Sequence, residues 1–309
     1  MINTVALSGA SGLIGSALGE ALSRQGIIVR HLVRNAAQAG DRHIYWSPNE
    51  KRIDLQRFQD VDAVVHLGGE PIFGIWTRQK RERILTSRVQ STCFLSSILA
   101  EMSPPPKVLL VASATGYYGN RGDEILDEQS PPGDGFLATV CKEWEAAADS
   151  AVGAGIRCVH TRFGLVLTPQ GGFLGKLGPI FRAGLGGRLG SGRSYMSWVT
   201  LDDLVRALSF LLHADAAVGP FNVVAPEPVT NKEFTRSLAS ALNRPAFFAV
   251  PAPFLRLALG SMGDEMILGS ARVVPKRLQE AHFQFKWPTI RSALAAFFDL
   301  ENQPNADVR

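Results

Sequence analysis

The chain has few cysteines, no long apolar run and no large excess of charge, and each absence excludes a class of protein. Its three cysteines, Cys93, Cys141 and Cys158, are an odd number without CxxC spacing, which predicts reduced thiols and a cytoplasmic protein. The most apolar stretch, residues 246–262, is interrupted by prolines and Arg256 and falls short of the roughly 18 apolar residues of a membrane span. No signal peptide is predicted, because no basic segment followed by an apolar run opens the chain.

Charge and histidine spacing exclude two further classes. Lysine and arginine number 32 against 28 aspartates and glutamates, a net charge of +4 over 309 residues with no basic tract. This balance is too weak to predict nucleic-acid binding. The six histidines have no HxxH or HxxxH spacing, so no metal site is predicted.

What the chain does have is an alternation of short β-branched runs and amphipathic stretches over its first 165 residues. The predicted strands are residues 4–8, 27–33, 63–67, 108–112 and 156–161, and the predicted helices are residues 13–24, 77–101 and 136–152. Continuous apolar strands that alternate with helices are typical of parallel sheets covered on both faces. The sequence therefore predicts an α/β fold, a Rossmann-type doubly wound parallel sheet.

The pattern changes after Pro169. Residues 171–192 contain nine glycines and predict a helix between flexible loops, and Thr230 with Glu233 forms a capping-box pattern that opens a later helix. Further on, the alternating residues 282–287 predict a strand, and residues 302–309 are predicted to be frayed. We expect a cofactor-binding domain over residues 1–225 and a smaller C-terminal α/β part over residues 226–301.

The sharpest motif is a GxxGxxG turn directly after the first predicted strand and at the start of the first helix. Such glycines allow the tight turn, the approach of a pyrophosphate to the backbone, and close packing of helix on strand, while the helix N-terminus attracts the phosphates. A purely structural turn is the alternative. The predicted dinucleotide contacts come from Gly9, Ser11, Gly12, Leu13, Ile14 and Gly15.

The end of the second predicted strand indicates which dinucleotide binds. An NAD site places a carboxylate there to accept from the ribose 2′-hydroxyl, whereas this chain has Arg34. A guanidinium pairs with a 2′-phosphate that a carboxylate would repel. The sequence therefore favours NADP(H), with a solvated strand-end arginine as the alternative.

Further motifs carry a family resemblance. They are the glycine turn, residues 62–70 (DAVVHLGGE), residues 113–119 (SATGYYG), the pattern WTxxK…SRxxxT from Trp76 to Thr92, Trp144-Glu145, RxGxVL from Arg162, the glycine loop 186–192, Ser197-Trp198 and the tail VPxxL from Val274. Together they resemble the extended short-chain dehydrogenase/reductases, and more narrowly the atypical "epimerase family" proteins, often labelled SulA-like, with a small C-terminal domain of unknown function. The chain departs from that pattern at Gly68, Arg193 and Ala281-His282.

The resemblance implies further site residues. It places the helix containing Lys142 at the nicotinamide and Arg88 beside the cofactor, and it allows pairing of helices into a dimer, so a monomer or homodimer is expected. His66 ends the third strand, where it is either near the cofactor or a hydrogen-bonded core histidine. The cofactor contacts implied in addition to the glycine turn are Leu67, Gly68, Gly69, Glu70, Arg88, Ser113, Lys142 and Leu165.

The catalytic pattern of that superfamily is incomplete here. Its members use Tyr-x-x-x-Lys on one helix, and this chain has Lys142 in register but Ala138 in the tyrosine position. Alanine cannot transfer a proton. Ser113 could still hydrogen-bond a substrate carbonyl, and Tyr117 or Tyr118 could supply a displaced hydroxyl, although aromatic residues after a strand are more often packing residues.

Two functions therefore remain open from the sequence. The first is an NADP-dependent oxidoreductase or epimerase acting on an unknown carbonyl or sugar-like small molecule, with Ser113, Tyr117 and Lys142 as catalytic candidates. The second is a non-catalytic protein that senses NADPH and regulates a partner. A nucleotide-sugar substrate is doubtful, because Met196 stands where such enzymes carry the arginine that grips the diphosphate.

Overall fold

The computed structural model describes residues 1–299 and contains two compact units. The first unit combines Met1–Tyr117, Phe136–Arg162 and Val205–Phe221, and the second combines Tyr118–Gly135, Phe163–Leu204 and the chain from Asn222 onward. The end at 302–309 that was predicted to be frayed lies outside the described residues. The division at residue 225 stays a prediction.

The strands are short and are numbered in chain order. They are β1 Thr4–Ser8, β2 Ile28–Val33, β3 His43–Ser47, β4 Arg52–Ile53, β5 Ala63–His66, β6 Val108–Ala114, β7 Ile125–Leu126, β8 Arg157–Phe163, β9 Leu165–Leu167, β10 Gly187–Leu189, β11 Tyr195–Met196, β12 Trp198–Thr200, β13 Gly219–Val223, β14 Val229–Thr230, β15 Phe248–Val250 and β16 Arg272–Val273.

The α-helices are α1 Leu13–Arg24, α2 Arg78–Glu101, α3 Phe136–Ala146, α4 Asp149–Gly153, α5 Gly172–Arg182, α6 Leu201–His213, α7 Asn231–Ala241, α8 Ala252–Leu259, α9 Lys276–Glu280 and α10 Ile290–Asp299. A short 3₁₀ helix follows β6 at Thr115–Tyr118. Among the described residues, no helix is both long and apolar enough to span a membrane.

An eight-stranded sheet in the order β13-β8-β6-β5-β1-β2-β3-β4 forms the basis of the first unit. The pairs β1–β2, β1–β5, β2–β3 and β5–β6 are parallel, and β3–β4 is antiparallel. Every residue of β1 and β5 is buried, which explains why their sequences are mostly apolar. Because β1 has β2 on one side and β5 on the other, the strand order reverses at β1, where the ligands of such sheets bind beyond the carboxyl ends of the strands. The predicted Rossmann-type fold is confirmed.

The second unit contains strand pairs and the helices α5, α7, α8, α9 and α10. The pairs are β7–β16, β9–β12, β10–β15 and β11–β14. The largest side chains of its core are the rings of Phe181, Trp198, Phe234 and Phe298. The predicted capping box is confirmed, because Thr230 accepts from the Glu233 amide at 3.2 Å and the Glu233 carboxylate accepts from the Thr230 amide at 2.8 Å.

Two predicted elements are wrong. The helix predicted over residues 136–152 is split into α3 and α4, because the Ala148 amide bonds only three residues back, to the Glu145 carbonyl, and interrupts the regular four-residue ladder. Residues 282–287 do not form a strand. Instead, the amides of Lys286 and Trp287 donate to the Asp203 carboxylate at 2.8 and 2.9 Å, so they are not available to a neighbouring strand.

Candidate functional site

The glycine turn joins β1 to α1 and leaves the first turn of the helix open. Gly9 has a φ of +69°, a left-handed conformation that favours glycine. A Cβ on Gly15 would lie 2.2 Å from the Gly9 carbonyl oxygen, so this position accepts no side chain without movement of the backbone. The N-cap residue Gly12 makes no side-chain cap, and the first turn contains no acidic residue. The free amides and the helix dipole therefore suit an anion such as a pyrophosphate.

The exposure of the turn also fits a dinucleotide. Ser11, Gly12 and Leu13 are exposed, whereas Gly15 is buried against the turn. A Cβ on Gly12 would lie 3.2 Å from the Gly9 carbonyl oxygen, a tight contact, and would meet no other atom beyond its own chain neighbours. The fold therefore constrains Gly12 much less than Gly15, and the rest of the space in front of Gly12 is open.

Arg34 follows the last residue of β2 and is exposed. Among the described residues it makes no hydrogen bond or ion pair. Its guanidinium therefore has all its donors available at the strand end where a ribose 2′-substituent is expected.

The loop after β5, Leu67–Glu70, is fixed to α2 by several bonds. The Glu70 amide donates to Ser87 Oγ at 2.9 Å, and the Glu70 carbonyl accepts from Arg88 at 2.9 Å. Lys80 Nζ lies 2.7 Å from Glu70 Oε1, and this hydrogen bond lowers the pKa of the Glu70 carboxyl. The Arg88 guanidinium, which donates to the Glu70 carbonyl, also lies over the Trp144 ring at 5.1 Å, so Arg88 connects this loop to α3.

His66 is fully buried at the end of β5. Its Nδ1 lies 2.6 Å from Ser8 Oγ and its Nε2 lies 2.9 Å from Ser91 Oγ. Burial, together with the charge of Arg88, lowers the pKa of His66 to about 4. Of the two alternatives stated for His66, this geometry is that of a hydrogen-bonded core histidine.

A buried polar cluster lies where the resemblance implies the catalytic residues. Arg162 and Glu145 form a two-bond ion pair, with Nε to Oε1 and Nη2 to Oε2 both at 2.8 Å, and their side chains are only 3% and 12% exposed. Ser113 Oγ donates to Glu145 Oε1 at 2.7 Å, and the Arg162 guanidinium stacks on the Tyr117 ring at 3.4 Å. We name Ser113, Tyr117, Glu145 and Arg162 the Glu145 cluster.

The other catalytic candidates lie in different surroundings. Lys142 is exposed, and among the described residues it makes no hydrogen bond or ion pair. Ala138 is buried, and so is Tyr118, whose hydroxyl donates to Asn222 Oδ1 at 2.7 Å. Tyr118 is therefore a packing residue. Catalytic roles for Ser113, Tyr117 and Lys142 stay predictions, although the Ser113 hydroxyl already has a carboxylate as its partner.

Sequence reasoning missed several residues of this region. Ser87, Glu145 and Arg162 stood in the quoted motifs, but nothing in the sequence indicated their partners, and Ser8 and Ser91 carried no signal. Leu165 lies in β9 of the second unit, and its predicted cofactor contact stays a prediction. Within residues 1–299, no group of three or more His, Cys, Asp or Glu side chains could hold a metal ion.

Comparison with known proteins identifies the family of the chain. Residues 5–224 match the NAD dependent epimerase/dehydratase family. The chain belongs to this family. In this epimerase-family chain, residues 250–297 match a domain of unknown function, DUF1731, so the resemblance found in the motifs is confirmed over both parts.

Relatives of this epimerase-family chain cover nearly its whole length. The epimerase family protein MT2273 of Mycobacterium tuberculosis is 43% identical over 291 residues, 94% of this chain and 96% of that protein. The epimerase family protein YfhF of Bacillus subtilis is 32% identical over 295 residues, again 94% and 96%. The solved structure of the human epimerase family protein SDR39U1 with NADPH has a TM-score of 0.86 and 31% identity, and covers 96% of this chain and 99% of that chain.

Proposed function

We propose that this chain binds NADP(H) at the glycine turn and acts as an oxidoreductase or epimerase on a carbonyl or sugar-like small molecule. The uncapped start of α1 would hold the pyrophosphate, and the loop Leu67–Glu70 would line the same end of the sheet. A nicotinamide cofactor supplies hydride transfer when it is bound, and the chain's own residues bind and orient it. The structure of human SDR39U1 with NADPH supports the choice of cofactor.

The observation that carries the choice of NADP(H) is Arg34. It is an exposed guanidinium at the end of β2, and no carboxylate stands in its place to accept from a ribose 2′-hydroxyl. A charge-assisted bond from arginine to a phosphate is among the stronger polar contacts, and it would be absent with NADH.

Cofactor choice is the first test. NADPH is expected to bind at least about tenfold more tightly than NADH, a difference of about 1.4 kcal/mol. Arg34→Ala should remove most of this difference and leave NADH affinity almost unchanged, because only the 2′-phosphate contact is lost. Calorimetric titration of both cofactors on both proteins measures it, with Arg24→Ala, an exposed arginine at the far end of α1, as the matched control. Equal affinities in the unmodified protein would exclude the NADP(H) assignment.

A non-catalytic, NADPH-sensing protein is the second candidate function, and the position of Ala138 favours it. Alanine there removes the phenol that donates the proton, and the Ser113 hydrogen is directed at Glu145. An enzyme would need another proton donor. The candidate is Tyr117, whose ring stacks on the Arg162 guanidinium.

Turnover distinguishes the two functions. A positioned phenol contributes about 10²–10⁴-fold, so with NADPH saturating we expect very slow turnover of ordinary ketones, aldehydes and sugar nucleotides. NADPH oxidation is measured across this panel for the natural sequence, Tyr117→Phe and Tyr118→Phe. Rapid turnover that only Tyr117→Phe abolishes would exclude the sensor and assign the displaced hydroxyl to Tyr117. Tyr118→Phe is the control, because its hydroxyl is bonded to Asn222.

A further inference from the structure

Three side chains form one continuous hydrogen-bonded row beneath the proposed cofactor loops. Ser8 is the last residue of β1, His66 is the last residue of β5, and Ser91 lies in the middle of α2. Ser8 Oγ contacts His66 Nδ1 at 2.6 Å, and His66 Nε2 contacts Ser91 Oγ at 2.9 Å. All three residues are buried, so water does not replace any member of the row. We name Ser8, His66 and Ser91 the His66 row.

The direction of every hydrogen bond in the row follows from the contacts of Ser8 at one end. Ser8 Oγ accepts the amides of Leu67 at 3.1 Å and Gly68 at 3.2 Å, which occupies both of its acceptor positions. Its own hydrogen must therefore point at His66 Nδ1. The imidazole then accepts at Nδ1 and carries its hydrogen on Nε2, which donates to Ser91 Oγ. Ser91 in turn donates to the Ser87 carbonyl at 2.6 Å, within α2.

A protonated imidazole does not fit this arrangement. It would carry a hydrogen on Nδ1 facing the Ser8 hydroxyl, which could accept it only by releasing the Leu67 or the Gly68 amide. The same burial and the nearby Arg88 charge that lower the pKa of His66 to about 4 keep the ring neutral in the physiological range.

The row acts on the peptide that packs against the glycine turn. A Cβ on Gly9 would lie 3.0 Å from the Leu67 carbonyl carbon and 3.1 Å from the Gly68 nitrogen, so this peptide and the turn are in direct contact. Ser8, whose hydroxyl accepts both amides, immediately precedes Gly9 in the chain. The position of the Leu67–Gly68 peptide therefore sets the position of the Gly9 backbone.

We propose that His66 is a positioning residue. By accepting the Ser8 hydrogen at Nδ1, it keeps the Ser8 hydroxyl oriented as the acceptor of the Leu67 and Gly68 amides. The His66 row thereby holds the Leu67–Gly68 peptide against the glycine turn and sets the affinity for the dinucleotide. The proposal rests on the proposed binding of NADP(H) at that turn. It assigns His66 no contact with the cofactor, and it requires an acceptor at the Nδ1 position rather than an imidazole as such.

Two substitutions at His66 test the proposal through NADPH affinity. His66→Leu fills the space but offers no acceptor, so the dissociation constant for NADPH should rise by about tenfold or more, as displacement of a binding element does. His66→Asn places an amide oxygen near the Nδ1 position, and it should restore affinity to within about threefold of the natural protein, since the Ser8 hydroxyl regains its acceptor. Leu99→Ala, at a fully buried leucine near the C-terminus of α2, is the control that destabilises the fold without touching the row.

The outcomes separate this proposal from the proposed function. If the natural protein binds NADPH and His66→Leu binds it equally well, or if Leu99→Ala loses as much affinity as His66→Leu, the positioning role is wrong and the proposed function stands. If the natural protein does not bind NADPH, both are wrong. Nitrogen-15 NMR of His66 gives a readout without cofactor: the Nε2-protonated neutral ring should persist from pH 8 to pH 5, and an Nδ1-protonated ring or titration near pH 6.5 would overturn the row.

Discussion

Gly12→Val is expected to abolish NADPH binding while the protein stays folded, and Gly15→Ala is expected to damage the fold itself. Gly12 has an extended backbone (φ −79°, ψ 167°) that any residue adopts, and a Cβ there meets one carbonyl oxygen at 3.2 Å, a tight contact that requires only a small shift of the turn. The stability cost should therefore stay near 1 kcal/mol, the usual loss at an N-cap. The valine side chain would occupy the space in front of the helix amides, and an affinity loss of about 100-fold or more, about 2.7 kcal/mol, should follow.

Gly15 is the matched contrast in the same turn. Its added Cβ would lie 2.2 Å from the Gly9 oxygen and 2.8 Å from the Gly9 carbon, so the backbone of the turn must move. We expect a loss of about 3 kcal/mol in the free energy of unfolding, measured by urea titration, together with weaker cofactor binding. If Gly12→Val binds NADPH normally with an unchanged circular dichroism spectrum, the motif is only a turn.

The sequence was a good guide wherever one element carries a long regular pattern. β1 and α1 have the predicted bounds, because apolar residues, a flanking glycine turn and helical periodicity mark them within a single segment. The strands of the second unit, mostly of two or three residues, were missed, since so short a run shows no period. Residues 282–287 alternate like a strand, but the Asp203 carboxylate, about 80 residues earlier in the chain, binds their amides.

The same distinction holds for the site. The glycine turn and Arg34 were predictable because each rule concerns neighbouring residues in one βα unit. The Glu145–Arg162 pair and the His66 row depend on side chains from separate elements, 17 to 58 residues apart in the chain. Only the tertiary fold brings these side chains into contact. Single residue types such as Ser8 or Ser91 carry no signal for such contacts.

Glu145→Ala is expected to cause the largest loss of stability among the substitutions considered for this chain. It removes the partner of Arg162, whose side chain is only 3% exposed and whose two bonds to the carboxylate are both 2.8 Å long. Removing one member of a buried pair leaves an uncompensated charge and typically costs about 3–5 kcal/mol. The Ser113 hydroxyl also loses its acceptor, which adds to the cost.

A double-mutant cycle separates the burial of charge from the loss of contacts. Replacing both residues, Glu145→Ala with Arg162→Met, removes the isolated charge and should recover more than half of the loss caused by Glu145→Ala alone, because methionine fills the space over the Tyr117 ring without needing a counter-ion. Urea unfolding of the natural protein, both single variants and the double variant measures the coupling. A solvated ion pair would give a different result: the two losses would be additive, and Glu145→Ala would cost less than about 1 kcal/mol. That result would contradict a buried Glu145 cluster.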